Sequence, residues 1–294
     1  LLENVPLLED FAFKNIYVKE SDEIDKKELN LSNLKSLLLD YCIFDTPAVL
    51  LKIPKNVLRE LTFTFEPNEE QPFQEFFDRQ GKIRKLELFE NEKINFHHFD
   101  LHHLKISNNC DFLQMIQQQP SLKYLDFAIT WIDDNTFEEV CKLEHLEVFK
   151  TLIDLISLRV FKNITEMPNL KELRLDSHSS HDMRHLEELS MMKGLRLEKL
   201  TLLFNERKIN SEIIVQMSNN INCLKHVEVI NRSIAILDTF LQNFPLLQSL
   251  LFDYFAVFGA PEDTLIISNP ELRHENLTQL VLTNVNVNEE ENTK

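Results

Sequence analysis

The sequence predicts an α/β solenoid of about twelve short repeats. Each repeat is a strand followed by a return segment. The strands form one parallel sheet on a concave face, and helices with irregular segments cover a convex face, as in a horseshoe. Three observations carry this prediction. First, residues 83–94 (IRKLELFENEKI) place Ile83, Leu86 and Leu88 in an L-x-x-L-x-L frame, followed by Asn91 and Ile94. Second, the frame returns along the whole chain, mostly at intervals of about 21–27 residues. Third, the stretches between copies carry apolar residues at helical spacing.

The physics follows from the frame. Its last two apolar residues stand two apart, so in a strand they point the same way. A single strand cannot bury that face alone, but stacked copies bury it as a continuous core. The residue three places further on turns the chain away from the sheet. A small polar side chain there can satisfy backbone groups inside the turn.

In chain order, Leu8-Phe11-Phe13 opens the series behind Pro6. Residues 20–30 are charged and read as a solvated connector. Leu34-Leu37-Leu39 follows, with Cys42 at the turn. Pro47 and Pro54 exclude a long helix in the next return segment. After Leu58-Leu61-Phe63, the spacing of Phe73, Phe76 and Phe77 predicts a short helix with its apolar side inward. The copy at Ile83 leads, after an unusually short step, to Leu101-Leu104-Ile106 with Asn109. Phe112, Met115 and Ile116 then form a helical stripe ending near Pro120. Leu122-Leu125-Phe127 with Thr130 comes next, then a stripe of Phe137, Val140 and Cys141. Leu146-Phe149-Thr151 is the weakest copy, with a polar residue in a core position. Leu158, Val160, Phe161 and Ile164 precede Pro168 and the copy Leu170-Leu173-Leu175 with His178. Met183, Leu186, Leu189 and Met192 form a stripe stopped by Gly194. Leu197-Leu200-Leu202 with Asn205, Leu224-Val227-Val229 and Leu247-Leu250-Phe252 alternate with stripes at Ile213, Ile214 and Met217 and at Ile236, Leu237 and Phe240. Leu277-Leu280-Leu282 closes the series after a long step, and residues 286–294 read as a frayed polar tail. The repeats run end to end, so residues 1–294 are expected to form a single domain.

The composition narrows the function. The chain has 294 residues, 43% of them apolar, and 22 phenylalanines, which is ample for a core. Its formal net charge of −17 argues against a nucleic-acid backbone or an anionic membrane surface as the main ligand. No apolar run is long enough to predict a membrane-spanning helix, and no signal peptide stands at the start. The chain opens on Leu1, almost directly inside a repeat, and reads as a piece of a longer protein. Cys42, Cys110, Cys141 and Cys223 are scattered over different repeats rather than clustered, which points to a reducing compartment, cytoplasmic or nuclear. Against that stand four N-x-S/T sequons, at Asn30, Asn163, Asn231 and Asn276.

Few residues suggest chemistry. His97, His98, His102 and His103 form the densest group of metal-ligand type, but His102 and His103 are strand neighbours that point to opposite faces. His181 and His185 stand at helical i,i+4 spacing and read as helix surface. Glycine occurs only three times, so no phosphate-cradling loop is expected. No nucleophile elbow or metalloprotease motif is present. No catalytic, cofactor-binding or metal-ligating residue is therefore assigned, and the chain is not expected to be an enzyme.

The informative residues lie between the core leucines, where the strand alternation turns them toward the concave face. The expected partner-binding set is Tyr41, Phe65, Phe89, Tyr124, Leu152, Arg174, Lys199, Leu203, Phe204, Ile230 and Tyr254. Ile129 and Ile153 are further apolar candidates, and Glu60, Lys85, Glu87, Lys105, Asp126, Lys150 and Asp176 supply charge on the same face. Aromatic residues repeated at one position and rimmed by charge suggest a surface that recognises a protein.

The repeat pattern resembles leucine-rich-repeat proteins over nearly the whole chain. Its variable length, the Cys42-type turn position and the helical return segments look most like the intracellular, ribonuclease-inhibitor-like and F-box-associated members. In the F-box proteins an F-box docks onto a cullin-RING ubiquitin ligase and the repeats capture the substrate. The resemblance implies a substrate-recognition part of such an adaptor, provided that an F-box lies upstream of Leu1, since residues 1–19 contain none. The alternatives are a secreted or cell-surface recognition receptor and a regulatory subunit or inhibitor wrapping an enzyme.

Overall fold

The computed structural model describes residues 5–18, 30–44, 47–64, 73–89, 98–107, 112–178, 183–204, 208–231, 235–254 and 274–284. The chain divides into two compact units, Leu1–Thr130 and Trp131–Lys294.

In the first unit, strands β1 (Asp10–Lys14), β3 (Ser36–Asp40), β5 (Glu60–Thr64), β6 (Lys85–Phe89), β7 (His103–Ile106) and β8 (Tyr124–Trp131) follow one another in a parallel sheet. The short strands β2 (Tyr17–Val18) and β4 (Ile43–Phe44) pair beside it. The register is the one that the spacing demands. Phe11 lies opposite Leu37, Leu37 opposite Leu61, Leu61 opposite Leu86, Leu86 opposite Leu104, and Leu104 opposite Leu125. The short step between Ile83 and Leu101 therefore costs no register. Pro47–Lys52 forms only a 3-10 turn, with Pro47 at its first position, where proline is tolerated, and Pro54 just beyond its end. Helices α1 (Gln74–Asp78) and α2 (Phe112–Gln117) pack on the core side. Phe63 meets Phe73 at 4.9 Å edge to face, and Phe76 meets Phe77 at 5.8 Å. Such pairs add about 0.5–1.5 kcal/mol beyond the area that they bury.

The second unit repeats the plan with longer helices. Strands β9 (Val148–Leu152), β10 (Glu172–Ser177), β11 (Lys199–Phe204), β12 (His226–Asn231), β13 (Ser249–Tyr254) and β14 (Gln279–Thr283) run parallel and in sequence order. Phe149, Leu173, Leu200, Val227, Leu250 and Leu280 are in lateral register. The return segments hold α3 (Asp134–Cys141), α4 (Leu158–Phe161), α5 (Arg184–Met191), α6 (Ser211–Asn220) and α7 (Ala235–Asn243). Asp133 caps α3 by accepting the Thr136 amide at 2.9 Å, and Asn210 caps α6 by accepting the Glu212 amide at 3.0 Å. Gly194, just beyond α5, adopts φ +90°, the left-handed region that ends a helix readily at glycine. No helix among the described residues is long and apolar enough to cross a membrane.

The apolar residues of the frame are the core. Leu34, Leu39, Leu61, Leu86, Leu104, Leu125, Phe149, Leu173, Leu175, Leu200, Leu202, Val229 and Leu250 are wholly buried. Each contributes about 1.5–3 kcal/mol by leaving water. Thr151 occupies its core position fully buried, with its hydroxyl donating to the Leu152 carbonyl. The turn positions act as the spacing suggests. Thr130 donates to the Ile106 carbonyl of the preceding strand, and Cys42 lies with its thiol against the Asp40 carbonyl. Asn91 and Asn109 lie outside the described residues. A second set of buried polar links was not foreseen. Gln80 and Gln119, both wholly inside, accept the amides of Leu58 and Leu101 from the preceding repeats.

Candidate functional site

Strand alternation leaves one face of each sheet free of helices. In the first unit its residues run across the strands in rows. One row reads Leu38, Thr62, Glu87, Lys105 and Asp126, and the next Lys14, Asp40, Thr64 and Phe89. At the C-terminal ends of these strands lies a groove of about 430 Å³. Tyr41, Phe89 and Ile129 supply its apolar walls, and Thr62, Thr64 and Ser107 supply hydroxyls. Tyr41 is 49% exposed and Ile129 60%. Tyr41 holds φ +49°, a left-handed conformation that is uncommon for an aromatic residue. Lys14 and Asp40 close one end, 3.8 Å apart.

Below the groove is a charged network. Lys85 lies 3.6 Å from Glu60 and 3.4 Å from Glu87. The His103 ring stacks on Tyr124 at 3.9 Å, within 5° of parallel, and its Nε2 comes within 3.3 Å of Glu87. The Nε2 atom is buried, and its contact with Glu87 falls short of an aligned hydrogen bond. The imidazole, and after it Lys85, hold the Glu87 carboxyl down at about 2 against the opposing effect of burial. The Tyr124 hydroxyl donates to Asp126 at 3.1 Å and the Ala128 amide at 3.0 Å, so this buried carboxylate is met by neutral donors. Lys105 extends over the Phe89 ring at 5.0 Å, a cation–π contact.

The open face of the second unit is wired differently. Arg174 grips Asp176 with Nε and Nη2 at 2.9 Å. Lys199 reaches Glu172 at 2.8 Å, with Lys150 4.0 Å away. Thr201 donates to Glu228. A hollow of about 380 Å³ in this unit lies at the turns that lead into β9 and β10, lined by Cys141, His145, Glu166 and Asn169. Burial, reinforced by the charges of Glu166 and Glu138, pushes the Cys141 thiol up to about 12, so it is no nucleophile.

The expected partner-binding residues divide accordingly. Tyr41 and Phe89 come together in the groove, and Tyr124 stands beside the charged network. Arg174, Lys199, Leu203 and Ile230 are half-buried on the open face of the second unit. Leu152 and Phe204 are corrected: they are buried, at 2% and 3% exposed. The same holds for Ile153, at 1%. Phe204 stands in phase with Leu200 and Leu202, and Ile153 with Phe149 and Thr151, so the alternation itself sends them to the core side, whereas Leu152 shares the row of Asp176 and Leu203 and is covered there by its neighbours. Phe65 lies outside the described residues, as does the side chain of Tyr254.

The histidines also differ from expectation. His185 is not helix surface: it is 4% exposed, edge-on to Phe161, with Nε2 2.6 Å from the Ile156 carbonyl. His103 is part of the network rather than a bystander. His97 and His181 lie outside the described residues. Among those residues no group of three or more His, Cys, Asp or Glu is placed to hold a metal. Sequence reasoning passed over Lys14, Thr62, Thr64 and Ser107. Thr62 and Thr64 alternate with the core residues Leu61 and Phe63, so period two was the signal available for them.

No protein-family model matches the chain, and no curated protein does. Solved structures do. An internalin from Listeria monocytogenes is similar over 88% of this chain and 71% of its own, at 14% identity and a TM-score of 0.35. PEPR1, in a structure with AtPEP1, is similar over 83% of this chain and 42% of its own, at 13% identity and a TM-score of 0.35. The chain thus spans less than half the length of PEPR1. The stacked strand-and-return units, in the register described above, make the fold that of a leucine-rich-repeat protein.

Proposed function

We propose that this chain is a protein-interaction module that captures its partner on the open sheet face, with the groove of the first unit as its anchor. One observation carries the reading. Exposed Tyr41 and Ile129 converge with Phe89 on a single groove, beside a row that carries Thr62, Glu87, Lys105 and Asp126. Exposed apolar side chains gathered in a concavity, rimmed by charge, are what a binding hot spot needs. A photo-crosslinker placed at Ile129 should capture a partner that one placed at Val215, exposed on helix α6, does not. Equal capture at both positions would remove the groove from the argument.

The finer reading is the substrate-recognition part of an F-box ubiquitin-ligase adaptor, acting in the cytoplasm or nucleus. It rests on the resemblance of the repeats and requires an F-box upstream of Leu1. Free thiols at Cys42, Cys141 and Cys223 support a reducing compartment. The sequon at Asn231 is wholly buried, its side chain bonded to Phe204 and Ile209, so it cannot carry a glycan as folded. Co-purification of the intact protein with a cullin-RING core tests this reading. Glycans at Asn30, Asn163 or Asn276 would instead favour a secreted or cell-surface receptor.

A further inference from the structure

We infer that the groove of the first unit takes an extended segment of a basic partner: a bulky apolar side chain between Tyr41, Phe89 and Ile129, and a lysine or arginine two residues along that reaches toward Glu87 and Asp126. The inference rests on the reading of the groove as the binding anchor and adds the chemistry of the ligand.

Charge carries it. Among the described residues the open face of the first unit presents five carboxylates, Asp10, Asp40, Glu60, Glu87 and Asp126, against three lysines, Lys14, Lys85 and Lys105. Each of those lysines is already engaged. Lys14 faces Asp40, Lys85 bridges Glu60 and Glu87, and Lys105 lies over Phe89. Among the described residues Asp126 accepts from the Tyr124 hydroxyl and the Ala128 amide, neither of which neutralises it, and its lateral neighbour Lys105 extends over Phe89 instead. The face therefore keeps uncompensated negative charge next to an apolar groove, within a chain of formal charge −17. An incoming cation is steered toward that face, and a like-charged segment is repelled.

The spacing agrees. Glu87 stands two residues before Phe89 on the same strand face, about 7 Å away at the usual strand rise. Side chains i and i+2 of an extended segment are the same distance apart, so one can fill the groove while the other reaches the carboxylates.

Three Gly/Ser-based decapeptides test the idea, carrying Trp-x-Arg, Trp-x-Glu or Ala-x-Arg at the centre. Each is titrated into the isotopically labelled whole chain, with the amides of Tyr41, Thr64, Phe89 and Ile129 followed by NMR. The Trp-x-Arg peptide should bind about five- to tenfold more tightly than either control. Its advantage over Trp-x-Glu should shrink in the Glu87→Gln variant and in high salt. If Trp-x-Glu binds as well as Trp-x-Arg, the basic-partner inference fails and the groove stands. Equal binding of Ala-x-Arg overturns the apolar anchor. If no peptide moves the groove amides, the groove reading falls together with the inference.

Discussion

Asp126, third in β8, and Asp176, fifth in β10, stand at different places in the repeat, and the two units treat them differently. Each is a buried carboxylate on the open sheet face, and each is approached by the residue two positions earlier. In the second unit that residue is Arg174, whose guanidinium neutralises Asp176. In the first it is Tyr124, whose hydroxyl bonds Asp126 without neutralising it. The second unit therefore ties its main charges to one another, whereas the first leaves negative charge beside a groove. One scaffold yields two kinds of surface, according to which residue stands two places before the buried carboxylate. That contrast is what makes the first unit the better candidate for recognition.

The comparison can be broken at several points. The largest effect is expected where neighbours on β11 part company. Phe204→Ala should cost about 3–5 kcal/mol, because it hollows the core. Leu203→Asp, one residue earlier on the half-buried open face, should stay within about 1 kcal/mol. Urea denaturation of both variants measures this, and similar losses would mean that the two side chains share one environment. Next, Arg174→Met strips Asp176 of its countercharge and should cost about 2–3 kcal/mol, reduced from a fully buried pair because Arg174 is partly exposed.

Acid separates the units further. The folded Glu87 carboxyl titrates at about 2, below its ordinary value of 4.5. A depressed value favours the ionised form in the folded state. The stabilisation is therefore whole above about 4.5 and is lost as the pH falls toward about 2. Wild type should exceed Glu87→Gln in urea midpoint at pH 6, and the gap should narrow steadily as the pH falls from about 4.5 toward about 2. A gap that persists unchanged would show that the carboxyl is not held by His103 and Lys85. The smallest effect is at Tyr124. Tyr124→Phe removes one neutral donor from Asp126 and should cost about 1 kcal/mol, less than Arg174→Met, by the same denaturation measurement.

Much of the architecture was legible before any coordinates. The frame residues at Leu37, Leu86, Leu104 and Leu200 fell on the core side and in register, because apolar residues two apart in a strand have only one face to bury. The helix stripes at Phe112 and at Met183 became α2 and α5, and the segment between Pro47 and Pro54 holds only a 3-10 turn. The candidate surface was legible in part. Tyr41, Phe89 and Ile129 each stood out singly, but no pattern said that they converge on one groove. Phe204 was misplaced because it stands in phase with the core residues Leu200 and Leu202, and Leu152 because neighbours in its row cover it in the folded sheet. His185 was misread because a polar residue on a helix stripe looks solvent-facing until the Ile156 carbonyl that satisfies it is brought within 2.6 Å.

Spacing alone was enough for the strands, the core and the parallel order. Those follow from local periodicity and from the need of each repeat to bury one face against the next. The surface chemistry was decided by packing between repeats. Whether Asp126 meets a hydroxyl or Asp176 a guanidinium can be read from single residues, but not whether either carboxylate is buried. Nor could the sequence show that His103 lies flat on Tyr124 beside Glu87, since those three residues come from three repeats. A binding face is the sum of lateral contacts between segments about 20 or more residues apart. Only the folded sheet brings them side by side.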